Sequence, residues 1–399
     1  MSDAAPPPGD NRVKVLFLSV AGHVGGAERS LYELLVALPT ERIDARACVP
    51  PEGNLGRLCA IAEVPVHPIA MRRFRRTRNP IVLFGQIRAL FNASQAVRQI
   101  CKDNGIDVIH ANSDSAALVA WEVHRETGIP FVWHCRDIRP LGPLSHILAK
   151  STGSAVAISN AVAQHLKEQG LEDSRVRVVL NGIDLPRFHG PESRDEIRGR
   201  TRAYLGIDPA APLLIDIGNW VPWKRHELFL EALALVREKY PTARGLLVGS
   251  DLFMQNAAYA ELLEQRSEDL NLDDGTVLVL QQREDVPDLL AASDILVSPS
   301  DREPFGRVLV EAAASGVPVV STRSGAKPEI VLDGLTGLLT PAGEARPIAE
   351  ACLKLIGDPE FAQVLGTRAR ARAQECFDVN RTASEMAALF EEIARIPRK

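Results

Sequence analysis

Glu303-Pro304-Phe305-Gly306-Arg307-Val308-Leu309-Val310-Glu311 is the stretch whose reading decides the fold. The apolar run Asp294-Ile295-Leu296-Val297 precedes it and reads as a buried strand ending in the turn-forming Ser298-Pro299-Ser300-Asp301. Pro304 suits the first position of a helix, where its missing N–H costs nothing, and Gly316 lies just past the expected end. The N–H groups of Phe305, Gly306 and Arg307 would then point out of a positive helix end, a place for an anion or a hydroxyl-rich ligand. Glu303 falls at the cap, and Glu311 lies about 12 Å along the axis at ~1.5 Å per residue. That is too far apart for a hydrolytic acid/base pair on one bond. It suits a long ligand with hydroxyls at both ends, and a nucleotide-sugar has that length.

The rest of the chain is compatible with such a ligand. Its 399 residues are enough for two domains with full cores, and 46% hydrophobic with 24% charged residues describe an ordinary globular protein. A net charge of −5 gives no global pull towards nucleic acid. The six cysteines are scattered without metal-ligand spacing, which predicts reduced thiols and a cytoplasmic location. Residues 1–11 read as a disordered polar tail without a signal-peptide core. No apolar run approaches the ~18 residues of a membrane span.

Strands and helices alternate along both halves. Strands are expected at 13–20, 45–49, 64–69, 106–110, 130–134, 155–158 and 176–180, then at 213–217, 244–248, 276–280, 295–297 and 317–320. Helices are expected at about 80–104, 225–240, 256–270, 286–292, 304–315 and 344–356, and through most of 360–396. This alternation predicts parallel, doubly wound sheets with ligand groups at the strands' carboxyl ends. The proline- and charge-rich stretch 186–212 places a domain boundary near 190.

Three further stretches carry candidate chemistry. Ala21-Gly22-His23-Val24-Gly25-Gly26-Ala27-Glu28 joins a strand to a helix, so Gly25 and Gly26 suit a phosphate cradle, with a ligand-free tight turn as the alternative. In Gly218-Asn219-Trp220-Val221-Pro222-Trp223-Lys224-Arg225-His226, three basic residues open a helix, where the dipole disfavours each by roughly 0.3–1 kcal/mol. A bound diphosphate would reverse that, with Lys224 as a point charge and Arg225 as a fork; a solvated basic loop is the alternative. Arg72-Arg73-Phe74-Arg75-Arg76-Thr77-Arg78 sets five arginines around one phenylalanine before a helix, which suits an anionic acceptor or an anionic membrane surface, with a disordered, solvated loop as the alternative.

The Glu-x7-Glu block, with its preceding strand and the following Ala-Ser-Gly-Val-Pro-Val-Val, resembles the signature of retaining glycosyltransferases of family 4. The likeness extends from about 13 to 340, through Gly25-Gly26-Ala27-Glu28, Asn160-Ala161-Val162, Asn181-Gly182-Ile183-Asp184, Ser324-Gly325-Ala326-Lys327-Pro328-Glu329 and Gly334-Leu335-Thr336-Gly337. The resemblance implies a GT-B fold: an α/β protein of two Rossmann-like doubly wound domains facing across a cleft. These would be an acceptor-side domain over 12–190 and a nucleotide-sugar domain over 191–375, with the helix at 376–399 returning to the first. It implies transfer of a sugar from a nucleotide-diphosphate sugar, UDP ahead of GDP, to an acceptor hydroxyl with retention of configuration. Glu303 would receive sugar hydroxyls, Glu311 the ribose hydroxyls, and Phe305, Gly306 and Arg307 would complete the donor site. The family pattern Gly-Arg-x-x-x-x-Lys-Gly places Lys224 on the diphosphate, whereas its Arg is Asn219 here and its second Gly is Arg225. His134, at a strand end, would lie near the donor sugar, followed by Arg136 on the acceptor side with Arg72, Arg73, Arg75 and Arg76.

No Asp-x-Asp is present, so no metal is expected, and neither is a cofactor beyond the donor itself. The acceptor is expected to be a carbohydrate, a lipid-linked or a small molecule, with peripheral contact to an anionic membrane and no nucleic acid as partner. A nucleotide-sugar epimerase or hydrolase of the same fold stays open, as does a catalytically inert homologue acting as a subunit, which the Asn219 departure favours. A dehydrogenase does not fit, because Gly-x-Gly-x-x-Gly is absent.

Overall fold

Short runs rich in apolar residues, buried on both faces at the centre of each sheet, make parallel strands, and the amphipathic segments between them make the covering helices. The computed structural model describes residues 11–75, 77–139, 148, 154–188, 193–252, 254–281 and 283–397. It divides into two compact units. The first comprises Met1–Ile158, Val162–Gly182 and Val379–Lys399, and the second Ser159–Ala161 and Ile183–Asp378.

The first unit holds a seven-stranded sheet of β1 (Val13–Leu18), β2 (Ile43–Val49), β3 (Val66–Pro68), β4 (Val108–Ala111), β5 (Phe131–Cys135), β6 (Ser154–Ala157) and β7 (Val176–Val178). Their order is β3-β2-β1-β4-β5-β6-β7, with every pairing parallel. The last helix, Val379–Ala394, belongs to this unit because Met386, Leu389 and Phe390 are buried in one core with Val15, Phe17, Leu31 and Leu34. The Phe390 ring meets Phe17 edge-on at 5.6 Å, and Arg42 bonds Glu391 at 2.8 Å.

The second unit holds β8 (Leu213–Ile217), β9 (Arg244–Val248), β10 (Val277–Leu280), β11 (Ile295–Ser298), β12 (Val319–Thr322) and β13 (Leu338–Thr340). Their order is β10-β9-β8-β11-β12-β13, again parallel throughout. In both sheets the strand order reverses beside the unit's first strand, between β1 and β4 and between β8 and β11. Those reversals are where α/β sheets open a crevice at their carboxyl ends.

Three local readings need correction. The helix expected to open at Pro304 runs Arg307–Ala314. The carbonyl of Pro304 accepts from Ser159 Oγ at 2.7 Å and that of Glu303 from Ala326 N at 2.8 Å, so neither is left to start a helical ladder. Gly306 then makes the turn at φ 102°, a left-handed conformation that glycine adopts without strain. The terminal helical stretch is two helices, Pro359–Cys376 and Val379–Ala394. The carbonyl of Phe377 accepts from Ile183 N at 2.9 Å, and a parallel bridge joins Ile183 to Asp378, which interrupts the helical bonding. Finally, β13 lies outside the expected strands, because three residues after a glycine-rich turn carry too little periodicity to register.

Candidate functional site

In the second unit the candidate residues gather at the β8/β11 reversal. The segment after β8 needs Gly249 to be glycine: a Cβ there, at φ 149°, would strike the Gly218 carbonyl. The backbone then makes a 3-10 turn over Pro222–Lys224 and places Arg225 in the left-handed region at φ 58°. This brings Lys224 Nζ to 2.7 Å from Glu303 Oε2 and 4.6 Å from the Trp223 ring centre. Ser300 Oγ donates to the same carboxylate oxygen at 3.2 Å.

Lys327 lies beneath this pair. It is wholly buried, and its Nζ donates to the Ser298 and Ser300 carbonyls at 3.3 and 2.5 Å, to Ser300 Oγ at 3.1 Å and to Thr322 Oγ1. Burial pushes its ammonium down to about 7, with Glu303 opposing that shift and Lys224 adding to it. Gly325 permits the close approach, since a Cβ there, at φ 55°, would collide with the Glu303 backbone. Ser300 thus connects two lysines and one glutamate at the carboxyl edge of the sheet. Lys327, Ser300 and Thr322 were absent from the sequence-derived site. The available signal was a cation at the start of a helical turn, here Lys327–Ile330, the same signal that singles out Lys224.

The basic cluster is better neutralised than its sequence suggested. Lys224 pairs with Glu303, while His226 Nδ1 lies 2.6 Å from Asp216 Oδ2, both side chains buried. Arg225 Nε is 3.1 Å from Glu227 and 3.8 Å from Asp301, close enough for ion pairing, although that nitrogen is not aimed as a hydrogen-bond donor. Carboxylates of the chain thus offset the charges for which a bound anion had been inferred. Asn219 contributes its backbone carbonyl, 3.1 Å from His226 Nε2. Glu311 is 3.1 Å from Arg307 on the same helix, so these two donor-site candidates meet. The Phe305 side chain is buried against Phe377, with ring centres 5.9 Å apart, and acts in the core. Gly306 supplies the turn before Arg307.

In the first unit a second polar cluster sits beyond β4 and β5. Arg136 is 7% exposed, with Nε 2.7 Å from Asn112 Oδ1 and a terminal nitrogen 3.0 Å from Asn181 Oδ1. A further Arg136 nitrogen lies 3.4 Å from His134 Nδ1, which is 2.9 Å from His110 Nε2. Burial first, and then the Arg136 charge, hold both histidines well below the usual imidazole range, so they are neutral near pH 7. Because guanidinium only donates, His134 Nδ1 accepts, and the His134 proton is assigned to Nε2. That Nε2 is buried without a hydrogen-bond partner. His134 is therefore an inward-facing side chain with an unused donor.

Gly25 precedes the Gly26–Ala37 helix, and its N–H donates to Glu28 Oε2 at 3.2 Å. Burial raises the Glu28 carboxyl, while Arg73 and Arg136 draw it back down, so Gly25, Glu28, Arg73 and Arg136 share one electrostatic neighbourhood. Gly22 has a structural reason to be glycine, as a Cβ there would meet the Glu52 carbonyl. Arg72, Arg73 and Arg75 are exposed on the loop after β3, and Arg76 lies outside the described residues.

Comparison with known proteins matches residues 24–187 to the family described as Glycosyltransferase Family 4, and residues 198–372 to Glycosyl transferases group 1. N-acetyl-alpha-D-glucosaminyl L-malate synthase of Bacillus anthracis is 27% identical over 308 residues, covering 74% of this chain and 77% of the relative. D-inositol 3-phosphate glycosyltransferase of Streptomyces avermitilis is 31% identical over 324 residues, covering 73% and 67%. Among solved structures, Anabaena HepE in complex with UDP and glucose superposes with a TM-score of 0.82 at 26% identity, covering 95% of this chain and all of that one.

Proposed function

We propose a function from one premise: this chain belongs to glycosyltransferase family 4 and is a glycosyltransferase of GT-B fold. It moves a sugar from a nucleotide-diphosphate sugar to an acceptor hydroxyl, with retention of configuration and without a metal. UDP is the expected nucleotide, in line with the ligand named for the Anabaena neighbour. The second unit takes the donor and the first unit the acceptor.

The observation that carries this reading is the 2.7 Å Lys224–Glu303 contact at the reversal of the second sheet. A donor there exchanges partners with the protein. Glu303 turns its oxygens to sugar hydroxyls, Lys224 is released to the diphosphate, and Glu311 leaves Arg307 for the ribose. The acceptor oxygen then bonds to the anomeric carbon from the face the diphosphate leaves. The bond from that carbon to the phosphate oxygen breaks with its electron pair remaining on the diphosphate, and the departing oxygen takes the acceptor's proton. Lys224 and Arg225 stabilise the charge that develops.

Arg136 and Arg73 suit an anionic acceptor. Malate and inositol 3-phosphate, named in two relatives, are both anions. His134 accepts from Arg136 through Nδ1 and orients it.

The test is a screen of nucleotide-sugars for thermal stabilisation of the protein and for slow donor hydrolysis. Proton NMR of the product then reports the anomeric configuration. If no nucleotide-sugar either stabilises the protein or is consumed, the proposal fails. Stabilisation by a nucleotide without consumption under any acceptor would favour an inert subunit, the reading that Asn219 supports.

A further inference from the structure

The Pro80–Asn104 helix of the first unit has two unlike halves. Its rear half is packed: Ala93, Ser94, Val97 and Cys101 are buried. Its front half is exposed and apolar, with Ile81 at 80%, Phe84 at 68%, Phe91 at 46% and Ile87 at 40% exposure, and Val82 and Leu83 also exposed. Phe84, Ile87 and Phe91 are spaced i, i+3, i+7 and so form one stripe about two turns long. Single exposed apolar residues need no explanation, but six within eleven residues form a patch that does.

The charge along this stretch is one-sided. From Val64 to Asn92 the chain has six arginines and no acidic residue, in a protein whose net charge is −5, whereas Arg98 on the packed half of the helix is paired with Glu126. The structure brings the arginine loop alongside the exposed turns: Arg75 N donates to Gln86 Oε1 at 2.5 Å, and Gln86 Nε2 donates to the Arg75 carbonyl at 3.1 Å. Buried Met71 and the bond from Phe74 N to Ser115 Oγ at 2.9 Å hold the loop to the unit from behind. Arg72, Arg75 and Arg78 on that loop are exposed, as is Arg88 next to Ile87 on the helix. Among the described residues no helix is long and apolar enough to cross a membrane, so a helix of this kind would lie in an interface rather than span it.

We propose that the front three turns of the Pro80–Asn104 helix, with the arginine loop beside them, form a docking surface for an anionic lipid bilayer. Phe84, Ile87 and Phe91 enter the acyl boundary, and the arginines meet lipid phosphates. A partner protein of ordinary surface would not need both an apolar stripe and an uninterrupted excess of arginine, whereas an anionic bilayer complements the two together. This inference does not depend on the donor or acceptor, and its test uses no sugar transfer.

The full chain is sedimented with vesicles of phosphatidylcholine alone and with vesicles containing phosphatidylglycerol, over a salt series. Three proteins are compared: the natural chain, F84S/I87S/F91S, and R72Q/R75Q/R78Q. The natural chain should sediment with anionic vesicles, weakly with neutral ones, and less as salt rises. The arginine variant should weaken partition on the order of a hundredfold, taking a factor of about five per charge. The phenylalanine–isoleucine variant should abolish binding while keeping the thermal transition, since all three side chains are exposed. Equal partition to both vesicle types, or unchanged partition of either variant, would overturn the proposal. So would a solution dimer that the apolar substitutions convert to monomer, because the occupant would then be a second copy.

Discussion

The two strand-end clusters solve the problem of a buried cation differently. In the second unit Lys224 and Lys327 are linked through Glu303 and Ser300, so a carboxylate 2.7 Å away answers the first lysine and backbone carbonyls answer the second. In the first unit Arg136 is held by neutral amide oxygens of Asn112 and Asn181, and two histidines beside it are kept neutral. A cation paired with a carboxylate is poised to exchange that partner for a ligand. A guanidinium fixed by neutral acceptors keeps its field for an anion that arrives. In the proposed reaction, partner exchange falls to the cluster of the second unit and standing positive potential to that of the first.

The sharpest way to break this assignment is to cut the pair. Lys224→Ala should lower turnover by ~10²-fold or more, as for any group stabilising leaving-group charge. Glu303→Ala should lower it by about tenfold or more, through the lost charged hydrogen bond to the sugar. Because the two side chains are direct partners, the double variant should lose less than the product of the single losses. Steady-state rates at saturating donor decide this, and a strictly multiplicative loss would mean the residues act independently.

A smaller effect should separate Lys327 from Lys224. The folded-state value of Lys327, about 7, lies below its ordinary 10.5, so between those two values the unfolded chain binds the extra proton. Stability should therefore rise with pH across that window, by at most about 1.4 kcal/mol per pH unit for one group. Other side chains titrate there too, so the measurement is the difference between the natural chain and Lys327→Met in urea midpoints over the same pH series. The natural chain should gain on the variant as pH rises above about 7. A flat difference would mean that Lys327 stays protonated throughout.

Much of this was legible in the sequence, and the failures share a cause. Glu303, Glu311 and Lys224 sit in local patterns of strand, turn and charge, so a window of nine residues exposes them. The Pro80–Asn104 helix was readable from Pro80 at its start and the glycine after Asn104. The helix start at Arg307 was not, because it depends on Ser159 and Ala326 capturing two carbonyls from far along the chain. Lys327 was not, since nothing local shows that the end of β11 brings the Ser298 and Ser300 carbonyls to its ammonium while β12 adds the Thr322 hydroxyl. The burial of Phe305 against Phe377 is likewise a long-range fact. Local chemistry is visible in sequence, while charge neutralisation across the sheet is not.

Arg136 tests the other side of the comparison more gently. Arg136→Gln removes the positive potential and keeps an amide able to reach Asn112 and Asn181. The acceptor KM should rise by about tenfold, the worth of one charged hydrogen bond, while donor hydrolysis without acceptor changes little. A fall in donor hydrolysis matching that of Lys224→Ala would show that Arg136 serves the donor, and the division between the two units would fail.

The smallest expected effect is none. Leaving-group charge in the proposed reaction is stabilised by Lys224 and Arg225, side chains that a chelator does not remove, so transfer should proceed unchanged in EDTA. EDTA is itself a polyanion, and a cationic donor site could bind it and mimic metal loss. The same assay is therefore run with EDTA already saturated with Mn²⁺, which keeps much of the chelator's bulk and some of its charge while it takes up little further Mn²⁺ or Mg²⁺. Equal inhibition by both forms would indicate competition with the diphosphate for Lys224 and Arg225, and it should fade as donor is raised. Inhibition by free EDTA alone, reversed by added Mn²⁺ at saturating donor, would place a metal in the reaction. The donor cluster would then no longer stand as the place where lysine exchanges a carboxylate for a phosphate.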